Sequence, residues 1–153
     1  MTCRIEPVSR VALEPLALLH AAAFPEDPWS AGALAAIFAI PGSFGYVAWA
    51  DKTPAGFVLA RDLGGECEIL SLGVVPDQRR RSIGQALLQA ALDEARRRGL
   101  RSAVLEVAVD NALARALYTR AGFLASGRRA HYYRRRRGSA DALIMRAPLG
   151  AAT

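Results

Sequence analysis

The sequence predicts an α/β (α+β) fold, a mostly antiparallel sheet of about seven strands with about four helices. Three stretches carry the prediction. Residues Leu72 to Gly99, LGVVPDQRRRSIGQALLQAALDEARRRG, read as strand, basic turn and helix, with Ile83, Ala86, Leu87, Ala90 and Ala91 at helical spacing. Residues Phe44 to Val75 read as three consecutive strands in an antiparallel meander. Residues Ser102 to Ala121 repeat the strand-to-helix order.

The totals fit one domain, expected over residues 1–153. Hydrophobic content of 52% with 22% charged residues suits a chain that buries a core. The net charge of +6 suits a polyanionic small ligand, and equally RNA. MTCRIEPVSR carries no apolar run of signal-peptide length, and about eighteen apolar residues nowhere run together, so a cytoplasmic protein without membrane contact is expected. Cys3 and Cys67 suggest neither metal spacing nor a disulfide framework; both are expected as reduced packing thiols, and no metal is expected.

Taken in order, residues 3–8 (CRIEPV) read as a first strand, and Ser9 as the cap of a helix with Ala12, Leu16, Leu19 and Ala23 on one face. His20 lies in this helix and is expected partly exposed, since no second ligand is spaced for a metal. Two prolines in Phe24–Ser30 break the helix, and Ser30 caps the next, which carries Leu34, Ile37 and Phe38. Trp29 in that loop either anchors the core or walls a substrate groove.

Pro41 and Gly42 end the second helix, and Asp51 to Pro54 turn the hairpin between the strands Phe44–Ala50 and Gly56–Arg61. Gly64 and Gly65 precede the strand Cys67–Val75. The helix that follows ends on Arg96, Arg97 and Arg98 with Gly99 as its C-terminal cap. Its N-terminal amides stand beside Arg79, Arg80 and Arg81, a place for phosphate or pyrophosphate, although an ordinary strand-to-helix turn has the same look.

Ser102–Val109 is nearly all apolar, as a central strand should be, except for Glu106. Asn111 caps a helix over Ala112–Ala121 that Gly122 closes. Strands around Phe123–Arg129 and Ala140–Arg146 finish the chain, with Tyr132, Tyr133 and the run Arg134 to Arg137 at the hairpin tip between them.

Arg79 to Gly84 resembles the acyl-CoA pyrophosphate loop of the GNAT superfamily of N-acetyltransferases, [Q/R]-x-x-G-x-[G/A], with Ser82 in place of the first glycine. Asn111, Ala114, Leu117, Tyr118, Gly122 and Phe123 resemble the superfamily segment that lines CoA beyond that loop. Within the superfamily the chain is similar to the RimI-type ribosomal-protein-alanine N-acetyltransferases, through Phe24 with Pro28-Trp29-Ser30, Leu72–Gly84, Leu105–Phe123 and Tyr132-Tyr133 with Asp141-Ala142. It departs at Ser82, at the inserted Glu26-Asp27 and at the arginines after the tyrosine pair.

The resemblance implies a GNAT fold in which two parallel central strands, Ile69–Val75 and Ser102–Val109, splay around acetyl-CoA as cosubstrate. It implies cosubstrate contacts from Leu72, Gly73, Val74, Arg79, Arg80, Arg81, Ser82, Ile83, Gly84, Asn111 and Tyr118. Gly73 is expected to leave room for the acetyl carbonyl. Glu106 is the expected general base and Tyr118 the acid for the departing thiolate, while Trp29, Tyr132 and Tyr133 wall the acceptor site.

The expected reaction is direct transfer of acetyl in a ternary complex to a protein N-terminal α-amine, foremost the alanine of a small-subunit ribosomal protein. The alternatives are a GNAT acting on a small amine or lysine and, outside catalysis, an acyl-CoA sensor or a protein touching RNA through Arg134 to Arg137.

Overall fold

The computed structural model describes residues 3–79, 82–134 and 138–150, without the side chains of Arg10, Tyr133 and Arg134. Its elements in chain order are β1 (Cys3–Pro7), α1 (Leu13–Ala23), α2 (Ala31–Phe38), β2 (Ser43–Ala50), β3 (Thr53–Asp62), β4 (Glu66–Val74), α3 (Ile83–Arg97), β5 (Ser102–Ala108), α4 (Ala112–Arg120), β6 (Leu124–Arg134) and β7 (Ser139–Pro148). Short 3₁₀ turns precede α1 and α3.

The strands form one sheet in the order β1-β2-β3-β4-β5-β7-β6. Every neighbouring pair is antiparallel except β4 and β5, which run parallel because α3 carries the chain across one face between them. α3 buries Ile83, Leu87, Leu88, Ala91, Leu92 and Ala95 as one stripe against that face. The core there includes Val58, Ala60, Cys67, Ile69, Leu105, Tyr118 and Phe123. A second core on the opposite face joins Leu16, Leu19 and Ala23 of α1 with Leu34 of α2 and Val47, Phe57 and Leu59 of the sheet.

Four helix ends follow their expected chemistry. Ser30 Oγ accepts the Ala33 amide at 3.1 Å, and Asn111 Oδ1 accepts the Ala114 amide at 3.2 Å. Gly99 and Gly122 lie at φ +78° and +100° beyond α3 and α4. The first helix departs from expectation, beginning at Leu13 with Ala12 as its cap, while Ser9 lies in a 3₁₀ turn. Pro15 explains the shift. A helix begun at Ser9 would hold Pro15 in its interior, whereas a start at Leu13 places it in the first turn, where its missing N–H costs nothing.

Two further expectations fail on burial. His20 is 2% exposed rather than partly exposed, and Cys3 is an exposed thiol on an edge strand rather than packing. Cys67 is fully buried, as expected, and that burial pushes its thiol up to about 12.

Candidate active site

The parallel pairing of β4 and β5 is short. It runs from Glu66 opposite Ser102 to Ile69 opposite Leu105 and stops, although β4 continues to Val74 and β5 to Ala108. The cause lies on the other edge of β4. Leu59 of β3 faces Ser71 and Ala60 faces Ile69, so Leu70 is an extra residue, a β-bulge that turns the strand away from β5. β5 meanwhile stays paired to β7 through Ala108. A wedge-shaped gap therefore opens between Ser71–Val74 and Glu106–Ala108, and the β4 edge facing it has main-chain groups with no sheet partner.

At the wide end of the gap stands the N-terminus of α3. The Ala86 amide closes the first helical bond to Ser82 O, which leaves the amides of Ile83, Gly84 and Gln85 without helical acceptors. They and the positive end of the 15-residue helix dipole suit an anion. Ser82 sits at φ +61°, ψ 15°, the left-handed region that favours glycine, and its hydroxyl makes no cap bond. Arg80 and Arg81 lie outside the described residues. Arg79 spends its side chain on the fold: Nε donates to Val74 O at 2.9 Å and a terminal nitrogen donates to Ala23 O at 3.3 Å, tying the loop to β4 and α1.

The other expected cosubstrate positions flank the gap. Leu72 and Val74 lie on the unpaired length of β4, and Asn111 begins α4 just beyond β5. A Cβ at Gly73 would stand 2.7 Å from Phe24 Cε2 and 2.9 Å from Ala23 Cβ, so its missing side chain makes room for the end of α1. Asn111 uses its amide oxygen as a helix cap.

Glu106 projects from β5 beyond the last pair with β4, and its carboxylate forms an ion pair with Arg129 of β6, Nε to Oε1 at 3.3 Å. Both neighbours follow from register: Glu106 faces Ile144 across β5 and β7, and Gly127 faces Ile144 from β6, so Arg129 reaches over β7. The same guanidinium lies 4.7 Å from the Tyr132 ring centroid, which links the carboxylate to the expected acceptor wall. Tyr118 is 7% exposed on α4 and meets Phe123 edge-on at 5.9 Å. The side chain of Tyr133 and residues 135–137, with most of the expected arginine tip, lie outside the described residues.

Trp29 anchors the core, as one of its two expected readings has it. It stacks on His20 at 4.6 Å, against the α1 core, and also lines a surface groove of about 400 Å³ with Ala17, Leu18, Ala21 and Pro28. The hairpin tip gains its shape from Asp141, which accepts the His131 amide at 2.9 Å and Arg128 Nε at 2.6 Å. These bonds hold the Asp141 carboxyl below its ordinary range, the amide first and Arg128 second, and they fix His131 at φ +54° beneath Tyr132. Among the described residues no group of three or more His, Cys, Asp or Glu is placed to hold a metal.

Sequence reasoning missed two members of the site. Arg129 becomes visible only through strand order, and Ser71 only through the bulge.

The fold as a whole has counterparts among known proteins. The crystal structure of the ribosomal-protein-S18-alanine N-acetyltransferase from Escherichia coli superimposes with a TM-score of 0.90 at 28% identity, over 99% of this chain and 97% of that one. The crystal structure of Arabidopsis thaliana NAA60 in complex with acetyl-CoA shares the fold, with a TM-score of 0.81 at 22% identity over 97% and 99% of the two chains. In sequence, the [Ribosomal protein bS18]-alanine N-acetyltransferase of Salmonella typhimurium is 37% identical over 100 residues, 65% of this chain and 68% of the relative. Its Escherichia coli K12 counterpart is 37% identical over 95 residues, which spans 64% of that relative's length. The pattern of the Acetyltransferase (GNAT) family matches residues 13–123. A sheet splayed beside a free helix N-terminus, together with this match, places the chain in the GNAT family, the acetyl-CoA-dependent N-acetyltransferases.

Proposed function

We propose that this enzyme acetylates the free α-amine of a protein N-terminus, and that its acceptor is an N-terminal alanine, the residue that the Salmonella and Escherichia relatives modify in ribosomal protein bS18. The observation that carries the reading is Glu106 at the mouth of the β4/β5 gap, joined through Arg129 to Tyr132. That arrangement sets a proton acceptor, a cosubstrate slot and an acceptor wall side by side.

The thioester lies along the unpaired edge at Leu72, Gly73 and Val74, whose main-chain dipoles face the carbonyl oxygen as it gains charge. The pyrophosphate takes the amides of Ile83 and Gly84, with the Ser82 hydroxyl beside them, and Arg80 and Arg81 keep the cosubstrate role that the family resemblance implies. Arg79 serves that loop by anchoring it. Asn111 caps the helix that carries Tyr118 toward the cosubstrate. Trp29 and Tyr132 border the entering peptide, and Tyr133 keeps the acceptor role that the resemblance implies.

The amine nitrogen attacks the thioester carbonyl carbon and its proton passes to Glu106, directly or through water. Collapse of the tetrahedral species breaks the carbon–sulfur bond, and the thiolate takes the Tyr118 proton. An α-amine has a reference pKa of about 7.7 to 8.0, against about 10.4 for lysine, so near neutrality it needs far less help from a base. One carboxylate can serve either amine, and the α-amine asks less of it.

The test is release of CoA with short peptides beginning with alanine, serine or blocked alanine, alongside lysine peptides and polyamines. Selective turnover of free alanine termini is expected. Turnover of polyamines alone would replace the acceptor, and silence with every amine would favour an acyl-CoA sensor.

A further inference from the structure

His20 is the buried titratable group that the acetyl-transfer steps leave unused, and it has a specific set of bonds. The Trp29 amide donates to its Nδ1 at 3.1 Å, so Nδ1 carries no proton. The neutral ring then holds its hydrogen on Nε2, which faces Ser71 Oγ at 3.4 Å. The imidazole is also sandwiched, with Trp29 stacked at 4.6 Å on one side and Phe57 of β3 at 5.1 Å on the other, and Phe24 tilted against it at 5.1 Å.

The two ends of this bridge matter. Ser71 is the first residue of β4 after the Leu70 bulge, at the apex of the gap. Trp29 lines the groove at the other end, on a loop whose Pro25 and Pro28 have no amide hydrogen to anchor it. We infer that His20 is a positioning residue that fixes the α1–α2 loop, and with it the acceptor wall at Trp29, to the point where β4 leaves β5. The inference rests on the proposed placement of the acceptor beside Trp29.

Protonation would undo the bridge, because an imidazolium donates from both nitrogens and cannot accept the Trp29 amide. Burial lowers the tendency of His20 to protonate, and the Asp27 carboxylate on the same loop raises it. From β3 the ring meets Phe57 and from β4 the Ser71 hydroxyl, while Arg79 sets a cation at the Ala23 carbonyl that ends α1.

Two variants separate positioning from simple packing. His20→Phe keeps the stack and strands the Trp29 amide, and it should raise the acceptor KM about tenfold while the acetyl-CoA KM stays within about twofold. His20→Asn offers an amide oxygen near the place of Nδ1 and should restore the acceptor KM. It should also remove one proton from the acid limb of kcat/KM, since asparagine does not titrate. A substrate-free readout is Trp29 emission in a Trp49→Phe background, a mild change because the buried Trp49 indole N–H has no hydrogen-bond partner among the described residues. Emission should titrate below pH 6.5 with His20 present and be flat with His20→Asn. Emission flat with both residues, or both KM values rising together with lost stability, overturns the inference. Failure of every alanine peptide overturns the proposed acceptor instead, and emission then decides the role of His20.

Discussion

Glu106 sits on a strand whose other inward positions are alanine, valine and leucine, and its carboxylate is 25% exposed beside Arg129. As the proposed base of the reaction it should be replaceable in shape but not in charge. Glu106→Gln is expected to lower kcat by about 10²- to 10⁴-fold with the acetyl-CoA Kd unchanged, read by CoA release and by equilibrium titration. An unchanged rate would remove Glu106 from the chemistry. Tyr118→Phe should also lower kcat while leaving the edge-on contact with Phe123 intact, read by CoA release. Glu106 was legible because an acid interrupting an apolar strand needs a reason, whereas Arg129 was not, since its reach across β7 depends on strand order. His20 was misread for another reason. α1 is apolar nearly all round, with Leu18 exposed and Leu16 and Leu19 buried, so its pattern does not say which side faces the sheet.

The elements whose ends were legible are those capped by local chemistry, such as α2 by Ser30, α4 by Asn111 and α3 by Gly99. The bulge at Leu70 left no mark, because EILSLGV reads as one continuous apolar strand and the extra residue is defined only against β3. At α3 the serine in place of glycine has a physical cost. Ser82 holds a left-handed backbone that disfavours a Cβ by roughly 1 kcal/mol, and a glycine there would recover much of that cost while losing about 0.5 to 1 kcal/mol of chain entropy. Ser82→Gly should thus leave the unfolding midpoint nearly unchanged and lower the acetyl-CoA KM a few-fold by letting phosphate approach the amides. A raised KM would show instead that the hydroxyl binds the anion. Gly73→Ala is the contrasting case: its Cβ would meet Phe24 and Ala23 below contact distance, so a loss of about 1–3 kcal/mol in denaturant unfolding is expected.

At the scale of the whole molecule, two buried titratable side chains on opposite faces of the sheet, His20 and Cys67, shape the pH window of stability. His20 is held neutral below its ordinary 6.5, so the unfolded chain binds the proton more readily, and stability falls as pH drops below 6.5 until the folded ring also protonates. Cys67 is held as a thiol up to about 12 against an ordinary 9.0, so above pH 9 the unfolded chain ionises first and stability falls as pH rises. Asp141, whose carboxyl is held low by the His131 amide and Arg128, adds a further loss only below 3.8. Thermal unfolding midpoints should therefore form a plateau between pH 6.5 and 9.0 with a separate shoulder on each side. His20→Asn should flatten the acid shoulder and leave the alkaline one, and Cys67→Ala should do the reverse after a uniform drop for lost packing. If His20→Asn leaves the acid shoulder as steep as before, the proton that destabilises the fold enters elsewhere, and the neutral imidazole is not what holds the Trp29 loop to the sheet.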